Sequence, residues 1–187
     1  MQHDDLKISH LVEAISLNND KLAYKNLFVA LYPKLKVFIM GFLKDVEISE
    51  EFAGDVMITL WRNRATLTEI KNIKVYAFVI AKNLCIDHLR KGNIHLVGLD
   101  NQTDFLSDFE TPEKILVTKE LEMKIQQCIN SLPPQFKLVF HLIKEERMSY
   151  KEAANILNIS VKTVDAQLVN ALKRIAFLLK KEYNILR

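Results

Sequence analysis

Apolar residues return every three or four positions along almost all of this chain. The few glycines and prolines, four of each in 187 residues, fall mostly between the periodic stretches. A period near 3.6 places such residues on one face of a helix, whereas strands need strict alternation. The chain is therefore expected to be all-α, and an apolar fraction of 49% is ample for a folded core.

Periodicity becomes firm near Asp20 and runs through KLAYKNLFVALYPKLKVFIMGFL, with Pro33 predicted to open a new helix or kink an existing one. Ser49 then precedes EEFAGDVMITLWRNR, where Phe52, Val56, Leu60 and Trp61 share a face. A further helix is predicted from about Ile73 to Lys91 with an apolar face broad enough for central packing. After Gly92 the period is lost in GNIHLVGLDNQTDFLSDFETPE, which reads as a flexible acidic linker between two small helical domains. Thr111 as N-cap and Pro112 at the first helical position predict a helix reaching about Asn130. SLPPQFKLVFHLIKE reads as another helix opened by proline. The expected domains are 1–94 and 113–187, with the linker at 95–112.

The net charge of +3 is distributed as +2 over residues 1–95, −4 over 96–118 and +5 over 119–187. Two mildly basic blocks thus flank an acidic strip. The start, MQHDDLKISH, is acidic where a secretory signal is basic, and VFIMGFL is among the longest apolar runs. A soluble cytoplasmic protein without membrane insertion is expected. Cys85 and Cys128 lack ligand-like spacing and read as small buried thiols. The five His residues do not cluster with Cys or carboxylates, and no phosphate loop or nucleophile elbow is present. Asp87 and His88 point about 100 degrees apart on a helix, a poor dyad. No enzymatic activity, metal or cofactor is expected.

The stretch SYKEAANILNISVKTVDAQL, Ser149 to Leu168, carries the most specific signal. Ser149 and Glu152 form a capping box, Ala153 and Ala154 permit a close helix crossing, and Asn158 suits a left-handed turn residue. Ser160 caps a second helix, in which Val164, Leu168, Leu172, Ile175 and Leu179 are predicted to form a core stripe with Ala171 beside it. The opposite face carries Lys162, Thr163, Ala166, Gln167, Asn170, Lys173 and Arg174. Gln and Asn pair bidentately with adenine edges, Thr and Ala methyls meet thymine, and Lys and Arg bind guanine or phosphate. Such a helix fits the major groove of DNA. Asp165 is the one discordant group on it.

From SLPPQFKLVFHLIKEERMSYKEAANILNISVKTVDAQLVNALKRI the C-terminal half resembles region 4 of bacterial RNA polymerase sigma factors of the extracytoplasmic-function group. EEFAGDVMITLWRNR followed by VYAFVIAKNLCIDHLRK resembles region 2 of the same group. The resemblance implies a sigma factor that binds core RNA polymerase and directs promoter-specific initiation. Region 4 would read the −35 element, with Ser160 at the start of its reading helix, and region 2 would melt and read the −10 element. Residues matching the melting surface are Tyr76, Lys82, Asn83, His88, Arg90 and Lys91, with Thr66, Thr68 and Asn72 on the preceding loop as base-pocket candidates. Glu51, Asp55 and Arg62 would meet the polymerase clamp, where Gly54 replaces a commoner Gln. The family also implies an anti-sigma partner. The alternative is a stand-alone helix-turn-helix regulator that binds an operator without polymerase.

Overall fold

A computed structural model describes the backbone over residues 2–91 and 116–185 and the side chains over 6–91 and 122–180. The predicted linker, with Thr111 and Pro112, lies outside the described residues.

Asp20 is a helix cap: its carboxylate accepts from the amides of Leu22 and Ala23 at 2.8 and 3.0 Å. The helix it starts, α2 (Lys21–Leu43), continues unbroken through Pro33, so no new helix opens there. An interior proline costs about 3 kcal/mol. Against that stand Leu27, Leu31, Leu35, Phe38 and Ile39, all fully buried, each contributing about 1.5–3 kcal/mol. Burial wins, and the exposed Pro33 sits on the outer face. α2 is long and apolar enough to cross a membrane by length and composition. Here its apolar stripe is the spine of a helical bundle.

Around α2 pack α1 (Gln2–Asn18), α3 (Val46–Arg62) and α4 (Ile73–Lys91). A 3₁₀ turn, Arg64–Glu69, closes the group against α1. α1 precedes the point at which periodicity becomes firm in the sequence, yet it buries Val12 and Ile15. α3 starts four residues before the predicted boundary. Asp45 is its cap, accepting from the Ile48 amide at 3.0 Å, while Ser49 lies inside the helix, fully buried, and donates its hydroxyl to the Asp45 carbonyl. A serine satisfied by the carbonyl four residues back is compatible with a helix interior.

The second half comprises α5 (Leu116–Asn130), α6 (Pro134–Phe140), one π-helical turn (His141–Glu145), α7 (Tyr150–Leu157) and α8 (Val161–Ile185). Pro134 occupies the first turn of α6, as predicted. The two halves are packed together. One core cluster runs from Leu27, Phe38 and Phe78 through Leu138, Val139 and Leu142 to Ile156, Val164 and Leu168. A smaller one joins Cys128, Ile129, Leu132, Ala171 and Ile175. At the seam α2 approaches α6 so closely that a Cβ added to Gly41 lies 2.8 Å from Leu138 Cδ2. The His141 imidazole lies 6.3 Å from both the Phe38 and Phe78 ring centroids.

Candidate nucleic-acid interface

The helix-turn-helix is assembled from local hydrogen bonds that its sequence spells out. The Ser149 amide donates to Glu152 Oε2 at 2.8 Å, and the Glu152 amide returns a bond to Ser149 Oγ at 3.2 Å. Asn158 takes the left-handed conformation, φ 56 and ψ 47, and its N–H turns back onto α7. Ser160 Oγ accepts from the Thr163 amide at 3.0 Å and contacts the Thr163 hydroxyl at 2.8 Å. Ala153 is fully buried and Ala154 nearly so, which lets α8 cross closely. Val164, Leu168, Ala171 and Ile175 form the inward stripe of α8. Leu172 does not join it: the side chain is 40% exposed. At about 100 degrees per residue, Ala171 and Ile175 complete the inward face and Leu172 is turned away from it.

The outward face of α8 is available. Ser160, Lys162, Ala166, Asn170, Lys173 and Arg174 are exposed, and Thr163 and Gln167 are half-buried. Gln167 Nε2 donates to Gln135 Oε1 on α6 at 3.5 Å. That neighbour is 32 positions away, and no sequence pattern points to it.

The N-terminal candidates divide. Tyr76, Asn83, Arg90 and Lys91 fall within one arc of about 100 degrees on α4, whereas Lys82 and His88 lie on opposite flanks of it. Tyr76 is half-buried against the core, Phe78 is a core residue with no exposed surface, and Asn83, Arg90 and Lys91 are exposed. His88 packs edge-on against Phe52 of α3, centroids 5.5 Å apart. Arg90 approaches Asp87 at 3.8 Å on the exposed surface, a pairing of little energetic weight. Thr66 and Thr68 are exposed on the 3₁₀ turn. Asn72 caps α4 through the Val75 amide at 3.1 Å. Its Nδ2 donates to Glu152 Oε1 at 2.8 Å, tying it to the helix-turn-helix. Glu51, Asp55 and Arg62 are exposed on α3.

Beside Asn72 lies an ionic cluster that the sequence does not advertise. Glu146, from the second half, is buried, and its Oε2 lies 2.9 Å from Lys74 Nζ and 3.3 Å from Lys34 Nζ. Lys74 also donates to the Glu146 carbonyl at 2.6 Å. The Oε2 contacts are ion pairs rather than aligned hydrogen bonds. Both cysteines are buried, and burial pushes the Cys85 thiol up to about 12. Among the described residues no three His, Cys, Asp or Glu side chains gather as a metal site.

The geometry defines a two-part helical protein with a complete helix-turn-helix whose reading face is open. Residues 27–93 match the sigma-70 region 2 family and residues 122–175 the sigma-70 region 4 family, together more than half of the chain. This chain belongs to the sigma-70 family, and its relatives are extracytoplasmic-function sigma factors. It is 25% identical over 170 residues to the RNA polymerase sigma-H factor of Pseudomonas aeruginosa, covering 86% of this chain and 88% of that one. It is 27% identical over 158 residues to the ECF RNA polymerase sigma factor SigW of Bacillus subtilis, covering 80% and 84%. The fold matches that of the sigma factor RpoE of Bartonella quintana, solved with the anti-sigma factor NepR, at a TM-score of 0.61, 19% identity and coverage of 84% and 96%. It also matches CnrH, solved with the cytosolic domain of CnrY, at 0.60, 18% identity and coverage of 94% and 98%.

Proposed function

We propose that this protein binds core RNA polymerase and directs initiation at promoters, with no catalytic chemistry of its own, in the cytoplasm. Residues 113–187 act as region 4 on the −35 element, 1–94 as region 2 on the −10 element, and 95–112 as the linker. Ser160, Lys162, Thr163, Ala166, Gln167, Asn170, Lys173 and Arg174 form the major-groove surface. Bases are read by Gln167 and Asn170, while the cations fix register on phosphates. Tyr76, Asn83, Arg90 and Lys91 form the strand-separating surface, flanked by Lys82 and His88, with Thr66, Thr68 and Asn72 at the base pocket. Unstacking a base costs a few kcal/mol, which aromatic stacking of about 1–3 kcal/mol per base largely offsets. Glu51, Asp55 and Arg62 meet the polymerase. An anti-sigma factor is the expected negative partner.

The observation that carries this reading is the open face of α8 above a fully capped turn, joined in one chain to a region 2 bundle. In the packed arrangement Asn72 is engaged by Glu152, so strand capture requires region 4 to lift from region 2. Purified core polymerase supplemented with this protein is expected to initiate at specific starts. Tight, sequence-specific duplex binding with no effect on polymerase would instead identify a free-standing regulator.

A further inference from the structure

A cavity of about 260 Å³ opens in the seam between the two halves, close to the lower end of the volumes that hold small ligands, about 300–1,000 Å³. α2 supplies one wall through Val37, Met40 and Gly41, and Ile129 and Leu138 of α5 and α6 supply the other. The lining is mainly apolar, and Lys137 stands in it half-buried. Lys137 Nζ donates to the neutral Asn130 Oδ1 at 2.9 Å. Burial lowers its pKa, the Glu145 carboxylate, which also lines the cavity, opposes that shift, and the positive charge of Lys44 adds to it. Glu145 is hydrogen-bonded to His141 Nδ1 as well as facing Lys137, and Glu50 pairs with Lys36 at 2.5 Å. An ammonium that has lost water, and whose neighbouring carboxylate Glu145 is already bonded to His141, keeps capacity for an anion, and the mainly apolar wall suits one with an apolar body.

We propose that this cavity binds a small monocarboxylate with an apolar body, its carboxylate on Lys137 and its body against Val37, Met40 and Leu138, and so favours the packed arrangement of the two halves. The coupling is thermodynamic. A ligand that needs walls from both halves binds only while they are together, and shifts the population toward that state. This site is additional to the promoter-reading surfaces and rests only on the packing of the halves, so its failure leaves the sigma reading untouched.

Calorimetric titration of the full chain with octanoate, 3-phenylpropanoate and octanol tests it. One carboxylate is expected to bind with 1:1 stoichiometry at least about tenfold more tightly than octanol. Preference for octanoate assigns a chain-like body, and preference for 3-phenylpropanoate a ring. Lys137→Met should erase the margin over octanol, with Lys137→Gln as the second variant, and Val37→Trp should abolish binding by filling the space. Circular dichroism should show unchanged helicity in each. Glu146→Lys lies away from the lining and adds an ammonium beside Lys34 and Lys74, so it should weaken octanoate at least about tenfold by loosening the seam. No carboxylate binding, a carboxylate no tighter than octanol, a margin that survives both Lys137 variants, or an affinity unaffected by Glu146→Lys would overturn the proposal.

Discussion

Replacing Glu146 by Gln tests whether a few polar contacts hold the two halves together. The carboxylate side chain is 5% exposed and its partner Lys74 14%, with 2.9 Å between Nζ and Oε2, while Lys34 is 41% exposed and 3.3 Å away. Removing one partner of a buried pair costs about 3–5 kcal/mol because the other charge is stranded. An exposed pair such as that with Lys34 contributes about 0–1 kcal/mol. Lys74 keeps the Glu146 carbonyl at 2.6 Å, and Gln retains a carbonyl oxygen, so the loss is expected near about 2–3 kcal/mol. The assay is a double-mutant cycle with Lys74→Met in urea. Unfolding is followed both by fluorescence of Trp61, the single tryptophan, which packs with Tyr24 in the N-terminal half, and by total helicity. A coupling of at least about 1.5 kcal/mol is expected, with the two probes no longer coincident in the variant because the halves melt separately. A coupling below about 0.5 kcal/mol, or coincident transitions in the variant, would refute the reasoning.

Gly54→Ala should stabilise the chain by about 0.5–1 kcal/mol, raising Tm by about 1–4 °C, because the added Cβ meets nothing within 4 Å in a helix interior. Gln167→Ala should change preference at one or two upstream base pairs by about 1–3 kcal/mol each, read from a binding-site selection, whereas Lys173→Ala should weaken all sites alike and lower the salt slope by about one. The hydrogen bond from His141 holds the Glu145 carboxyl below its ordinary 4.5. A depressed carboxyl stabilises the fold above its unfolded pKa and loses that contribution as pH falls through the folded value. The stability gap between wild type and Glu145→Gln in urea melts should therefore be full near about pH 6 and close below about pH 4.5, and a gap unchanged at about pH 3 would assign it to packing.

What was legible in the sequence was the chemistry carried by near neighbours. Ser149 and Glu152, Asn158, and Ser160 with Thr163 all act within four positions, and each occupies the role its side chain predicts. The periodic stretch Ile73–Lys91 is helical throughout, as α4. Boundaries failed where two local rules competed. Asp45 and Ser49 are both capping residue types, and only the fold decides that the later one is buried. Pro33 reads as a breaker until five buried side chains on the same helix are weighed against it. α1 was hidden because its apolar residues, Ile8, Leu11, Val12 and Ile15, acquire meaning only against α2 and the 3₁₀ turn. The seam was illegible for a different reason. Asn72 meets Glu152 across 80 positions and Lys74 meets Glu146 across 72, and nothing in either segment encodes the other. The exposure of Leu172 has the same origin, since a stripe drawn from spacing alone does not reveal where the neighbouring helices stop.

The two oxygens of Glu152 serve different masters. Oε2 takes the Ser149 amide and hydroxyl, both at 2.8 Å, while Oε1 alone reaches Asn72. Withdrawing Asn72 therefore frees one oxygen to water and leaves the start of α7 fastened. Separation of the halves at this contact thus does not by itself undo the cap that begins the helix-turn-helix.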